Sequence, residues 1–159
     1  MHNTSFSKIE DFRDEFMSPS DELKIIDICG LTKDVSCEFI FSEENWSYEQ
    51  VTVNRYGNFK KGIGAESVDV VVIGQTLERV NYFWVLLDEI STILKPDGLL
   101  CAIVSSSGAF SSRGDFYRFH PDSLIALAEL IDLDALKCEV DVMNIWRDAT
   151  IIARKRNES

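Results

Sequence analysis

The densest chemistry in this chain lies in Asp115-Phe116-Tyr117-Arg118-Phe119-His120. A guanidinium set among aromatic rings offers a planar fork of donors, suited to a carboxylate or to sugar hydroxyls. Arg118 also has Asp115 and Asp122 within reach, and pairing with either would fasten the loop to its scaffold instead. His120 stands directly before Pro121, which suits the start of a helix better than a general base. Two further acids are candidates. Asp27 lies near the end of the apolar run Leu23 to Cys29, where a carboxylate can bond loop amides. Glu78 follows a second apolar run and reads either as a group facing a ligand or as a cap for a helix beginning near Asn81.

The elements that position these residues follow from hydrophobic period. Val68 to Ile73 is almost wholly apolar and β-branched, as in a parallel strand covered on both faces. Phe83, Leu86, Leu87, Ile90, Ile93 and Leu94 form one stripe at helical spacing. Pro96 stops that helix, Gly98 is expected to take the positive φ of the reversal, and Leu99 to Val104 is the next strand. Together they make one βαβ unit.

Before it, Phe6, Ile9, Phe12, Arg13 and Phe16 share a helical stripe that Ser18-Pro19-Ser20 ends, Leu23 to Cys29 is a first strand, and Tyr48 to Val53 a second. After it come a Ser- and Gly-rich loop, Ser105 to Gly114, and a helix from Pro121 burying Leu124, Leu127, Ala128 and Ile131. Leu136 to Val142 alternates, and Ala149 to Arg154 is the last strand, so Asn144 to Asp148 can turn the two into an antiparallel pair. In an open α/β sheet, ligands bind outside the carboxyl ends of the strands. Asp27 to Leu31, Gly74 to Arg79 and Ser105 to Arg118 should meet there.

Several of these stretches resemble class I S-adenosylmethionine-dependent methyltransferases. Asp69-Val70-Val71, Leu77-Glu78-Arg79 and Leu94-Lys95-Pro96-Asp97-Gly98 match the family's hydrophobic strand, "LEH" turn and "LKPGG" turn. Gly74-Gln75-Thr76-Leu77-Glu78, Ser106-Ser107-Gly108 and Asp115 to Asp122 are similar, in order, to small methyltransferase-domain proteins often found beside sugar and polysaccharide biosynthesis. The resemblance implies a single α/β domain over residues 1–159: a Rossmann-like three-layer fold whose mostly parallel sheet has an antiparallel C-terminal edge pair.

It also implies the cofactor S-adenosyl-L-methionine. The backbone at Cys29 and Gly30 would lie against its methionine part, with Asp27 as a cofactor-side carboxylate. Gln75, Thr76 and Leu77 would flank the sulfonium. Thr52 or Asn54 would stand where the family places a ribose-binding acid. The loop with Ser107, Asp115, Tyr117 and Arg118, together with Glu78, would cover a small-molecule acceptor. Arg79 replaces a histidine common in the family, which removes proton shuttling there.

The first half departs from the pattern. Asp27-Ile28-Cys29-Gly30-Leu31-Thr32 carries one glycine where two or three are usual. Between Gly30 and Asp69 a full family member fits two helices and two strands, and this chain is too short there for all four. Two functions stay open: a methyltransferase acting on a sugar or other small metabolite, and a catalytically inactive methyltransferase-like binding or assembly subunit. The shortened sheet edge, with Trp46, Tyr48, Tyr56 and Phe59, is where a second copy or a heteromeric partner is expected.

Composition narrows the rest. A length of 159 residues suits one domain, and 45% hydrophobic with 27% charged residues is ordinary for a soluble one. A net charge of −11 argues against a nucleic-acid surface. No apolar run is long enough to span a bilayer and the start lacks a leader pattern, so the expectation is a cytoplasmic protein without membrane contact. Cys29, Cys37, Cys101 and Cys138 have no CxxC spacing and read as reduced structural thiols rather than disulfides or zinc ligands. The absence of GxGxxG after the first strand argues against a dinucleotide site.

Overall fold

The computed structural model describes residues 3–30, 36–59, 61–109, 114–143, 145 and 147–157. Six strands form one sheet: β1 (Leu23–Cys29), β2 (Trp46–Thr52), β3 (Val68–Gly74), β4 (Leu94–Ser105), β5 (Leu133–Val140) and β6 (Asp148–Lys155). Their order is β2-β1-β3-β4-β6-β5. The pairs from β2 to β4 are parallel, and β6 runs antiparallel to both β4 and β5. Val68 to Ile73 is therefore central, and the antiparallel pair lies at one edge, as the two-sided and alternating apolar patterns predict.

Helices cover both faces. On one, Ile9 and Phe12 of α1 (Asn3–Phe16) pack with Ile25, Val70, Val72, Cys101 and Ile103. On the other, Leu86, Leu87, Ile90 and Ile93 of α2 (Phe83–Ile93) and Leu124 and Ala128 of α3 (Pro121–Leu130) pack with Ile26, Ile28, Val71 and Ile73. Successive residues of β1 and β3 thus feed opposite clusters, so both strands read as continuous apolar runs. None of the four cysteines forms a disulfide. Burial pushes the Cys101 thiol up to about 12, consistent with an inert core residue.

The reversal before β4 differs from expectation. Asp97 takes the left-handed conformation at φ 64°, and Gly98 does not. Aspartate tolerates that region because its short side chain bonds locally. Gly98 is required for another reason: a Cβ there would sit 2.8 Å from the Lys95 carbonyl oxygen and 3.2 Å from that of Asp69. Gly98→Ala should therefore lower stability by about 1–3 kcal/mol, whereas Asp97→Gly should be close to neutral. Urea denaturation of the two variants checks this ordering. Equal effects would show that the turn tolerates a Cβ at both places.

The shortened half takes a definite form. Among the described residues no α-helix lies between β1 and β2, only a 3₁₀ turn at Glu38–Ile40. Among the described residues no further strand lies outside β2. Instead the chain turns back after β2. Asn54 N donates to the Asn58 carbonyl at 2.9 Å, Val53 and Phe59 form an isolated antiparallel bridge, and Lys61 pairs with Glu49 at 2.7 Å. This return shields part of the edge that the short sequence led us to expect bare. Trp46 is buried against Phe41, and Tyr48 stacks on the same ring. Phe59 is half-buried, which leaves Tyr56 as the exposed member of the four aromatics expected at a contact.

Candidate functional site

The carboxyl ends of β1, β3 and β4 bring the predicted stretches to one pole. Gln75, the first residue after β3, has φ 50° and donates its backbone N–H to the Ile103 carbonyl at 2.7 Å. That bond turns the chain sharply at the strand's end. Its side-chain amide donates to Asp148 Oδ1 at 3.1 Å, tying β3 to the start of β6. Thr76 is buried, and its hydroxyl lies 3.2 Å from the Gly74 carbonyl and 3.4 Å from that of Ile28. Leu77 is a core residue. Gln75 and Thr76 therefore stand at the expected place with their polar atoms engaged within the scaffold.

Asp27 is turned into the protein. It is 1% exposed, and a single oxygen, Oδ2, accepts from the Tyr48 hydroxyl at 2.5 Å, Cys37 N at 3.3 Å and Gln50 Nε2 at 3.3 Å. Burial raises its pKa, partly offset by these donors, and burial beside that carboxylate raises the Tyr48 phenol as well. Asp27 thus bonds one loop amide, that of Cys37, and two side chains of β2. Cys29 donates to the Val51 carbonyl at 3.3 Å. Gly30 differs from both: a Cβ built on it meets no atom of the described residues within 4 Å. Leu31 and Thr32, the rest of that turn, lie outside the described residues. Thr52 is half-buried at the end of β2. Asn54 is already committed, its Oδ1 accepting from Tyr56 N at 2.9 Å and Asn58 N at 3.1 Å.

The residues expected on the acceptor side also converge. Glu78 is 3% exposed and does not cap α2, whose N-cap is Tyr82. Its backbone carbonyl accepts from Phe116 N at 2.9 Å and Tyr117 N at 3.2 Å, while Oε1 accepts from Ser105 N at 3.3 Å. One residue thus holds both ends of the loop from Ser105 to Tyr117. Burial pushes the Glu78 carboxyl up to about 7, and Oε2 has no hydrogen-bond partner among the described residues. Arg118 meets Asp115 through two bonds, 2.5 Å from Nη1 and 2.8 Å from Nη2. It also donates to the carbonyls of Ser107, Ala109 and Tyr117. The fork thus fastens the loop. Tyr117 reaches the Asn81 carbonyl at 2.8 Å, and His120 is the N-cap residue of α3.

A protein-family model described as a methyltransferase domain matches residues 33–102. The Burkholderia thailandensis 1,6-didemethyltoxoflavin-N1-methyltransferase, solved with 1,6-didemethyltoxoflavin and S-adenosylhomocysteine, superposes at TM-score 0.72 and 12% identity, over 98% of this chain and 78% of that one. The chain has the class I methyltransferase fold.

Two other solved structures share the fold. One is a complex of the Haloferax volcanii Trm112 methyltransferase activator with a protein named as a methyltransferase (TM-score 0.69, 10% identity, 98% of this chain and 95% of that one). The other is the [4+2]-cyclase SpnF (TM-score 0.66, 12% identity, 94% and 80%). No curated protein sequence matches the chain. Identities this low carry the methyltransferase fold and leave the chemistry to the site itself.

The sequence reading of this pole of the sheet missed Tyr48, Asn81, Ser105 and Asp148. Asp148 is fully buried beside Ser105 at the sheet's antiparallel end. A polar residue opening an apolar strand was the available signal for it. Among the described residues no cluster of His, Cys, Asp and Glu could hold a metal, and no helix is long and apolar enough to cross a membrane.

Proposed function

We propose that the protein binds S-adenosylmethionine across the carboxyl ends of β1, β2 and β3 and methylates a small-molecule acceptor beneath the 105–120 loop. The observation that supports this reading best is the open approach at Gly30, beside the Gln75 turn, where bare backbone invites close contact. The residues present fit in part. Backbone at Cys29 and Gly30 would meet the methionine portion, the Thr52 hydroxyl one ribose hydroxyl, and the Gln75–Leu77 turn the neighbourhood of the sulfonium. The cofactor supplies an already activated methyl group, so the chain's own task is to align an acceptor oxygen or nitrogen and exclude water. Glu78, under the loop, positions the two segments that enclose that space.

Asp27 does not fit as a cofactor contact, because Oδ2 already takes three donors. With only a 3₁₀ turn among the described residues between β1 and β2, this favours a second reading, a binding subunit that transfers no methyl group.

Calorimetric titration with S-adenosylmethionine and S-adenosylhomocysteine separates the two. We expect weak binding, roughly ten- to a hundredfold below that of a site with a ribose carboxylate. Gly30→Val should then weaken it at least about tenfold while leaving the thermal midpoint unchanged. Equal binding by the variant would move the pocket elsewhere. No binding by the wild type would leave the second reading standing.

A further inference from the structure

We propose that the hairpin tip between β5 and β6 is an apolar lip of the acceptor site, and that the acceptor carries a hydrocarbon portion held by Val142, Met143 and Ile145. This rests on the functional reading above and names the class of its acceptor. The three side chains are 69%, 91% and 80% exposed. Single exposed apolar residues are common, but three clustered at one hairpin tip form a patch that water disfavours.

Its position is what points to the acceptor. β6 begins at Asp148, directly opposite Ser105 at the end of β4, so the tip stands at the pole where the site lies. Hydrogen bonds tether it to both walls of that site. The Ser107 hydroxyl donates to the Ile145 carbonyl at 3.4 Å, and Gln75 reaches Asp148 at the hairpin's base. Asp141 closes the turn, its N–H bonding the Asp148 carbonyl and its Oδ1 accepting from Met143 N, each at 2.9 Å. The backbone is therefore fixed to the site while the apolar side chains face outward. Ser107, half-buried where Ser105 and Ser106 are buried, supplies the adjoining polar surface. The arrangement suits an amphiphile, with its reacting oxygen or nitrogen beside Ser107 and its chain along the tip.

Other occupants fit less well. A stable protein interface needs about 800 Å² and some 20 residues from each partner, far more than three side chains provide. A net charge of −11 opposes an anionic bilayer surface.

The test titrates n-decanol into the full chain and into the double variant Met143→Ser/Ile145→Ser, with S-adenosylmethionine titrated in parallel. The substitutions are exposed, so folding should be retained, and thermal midpoints confirm it. We expect decanol binding to weaken at least about tenfold, the scale of losing contact with one large aliphatic side chain. Cofactor affinity should stay unchanged. Leu130→Ser, at an exposed apolar position at the end of α3, should leave both untouched.

Decanol ignored by the wild type, or bound equally by the double variant, overturns the proposal. So does a wild-type dimer that the substitutions dissolve, or wild-type retention on phosphatidylcholine vesicles that they abolish. A wild type that binds no cofactor, yet binds decanol in a way the double variant loses, would instead sink the methyltransferase reading and leave the apolar lip standing.

Discussion

Arg118→Ala will cost about 3–5 kcal/mol of stability, read as a lowered urea midpoint. The guanidinium is 17% exposed and its Asp115 partner 4%, so solvent screens neither group strongly. Removing the cation leaves a buried carboxylate uncompensated, beside a second buried acid, Glu78, that already feels it. The carbonyls of Ser107, Ala109 and Tyr117 lose their donor at the same time. Arg118→Lys should recover little, because an ammonium cannot bridge both carboxylate oxygens and three carbonyls with one planar fork. The double variant Asp115→Asn/Arg118→Ala should be less destabilised than Arg118→Ala alone, since no charge is then stranded. A stable Arg118→Ala protein with impaired ligand binding would return the residue to an acceptor-gripping role.

The same residue shows what could be read before the structure. That Asp115 and Arg118 lie within one local reach is a matter of spacing, and the fastening role follows once burial is known. β1 was legible to the residue, because a two-sided apolar run bounded by polar turns has one physical solution in a parallel sheet. β5 was placed three residues late. A bulge between Ala135 and Lys137 interrupts its alternation, so period alone does not reach Leu133.

The partners of Asp27 were not legible at all. Tyr48 and Gln50 come from the neighbouring strand, and their contact depends on a register that pairs Asp27 with Gln50. The bare edge was over-read for a related reason. Chain length counts missing elements, but it does not reveal that the Val53–Phe59 bridge partly replaces one. Legibility therefore followed locality: helices, strands and near-neighbour ion pairs could be inferred, while cross-strand polar contacts could not.

Glu78 marks the sharpest case, a residue read as a helix cap or a ligand-facing group that proves to be a buried clamp. It should make stability depend on pH in an unusual direction. Its carboxyl titrates near 7 in the folded protein against an ordinary 4.5, because burial penalises the charged form and Asp115 adds repulsion. Between those values the folded state holds more protons than the unfolded chain, so stability falls as pH rises. The full contribution is present below about pH 4.5 and is lost as pH rises through about 7. A shift of this size corresponds to about 3 kcal/mol.

Asp27 is raised as well and adds a slope of the same sign, so the clean measurement is the difference between wild type and Glu78→Gln. The amide can still accept from Ser105 N, but it places donors where Oε2 has no partner, at a cost of about 1–3 kcal/mol. Glu78→Gln should therefore be less stable than wild type near pH 4.5 and close the gap, or overtake it, by pH 7.5. Urea melts of both proteins across that range give the result. A difference that does not change with pH would show that Glu78 is ionised throughout, and that its clamp on Ser105 is a charged one.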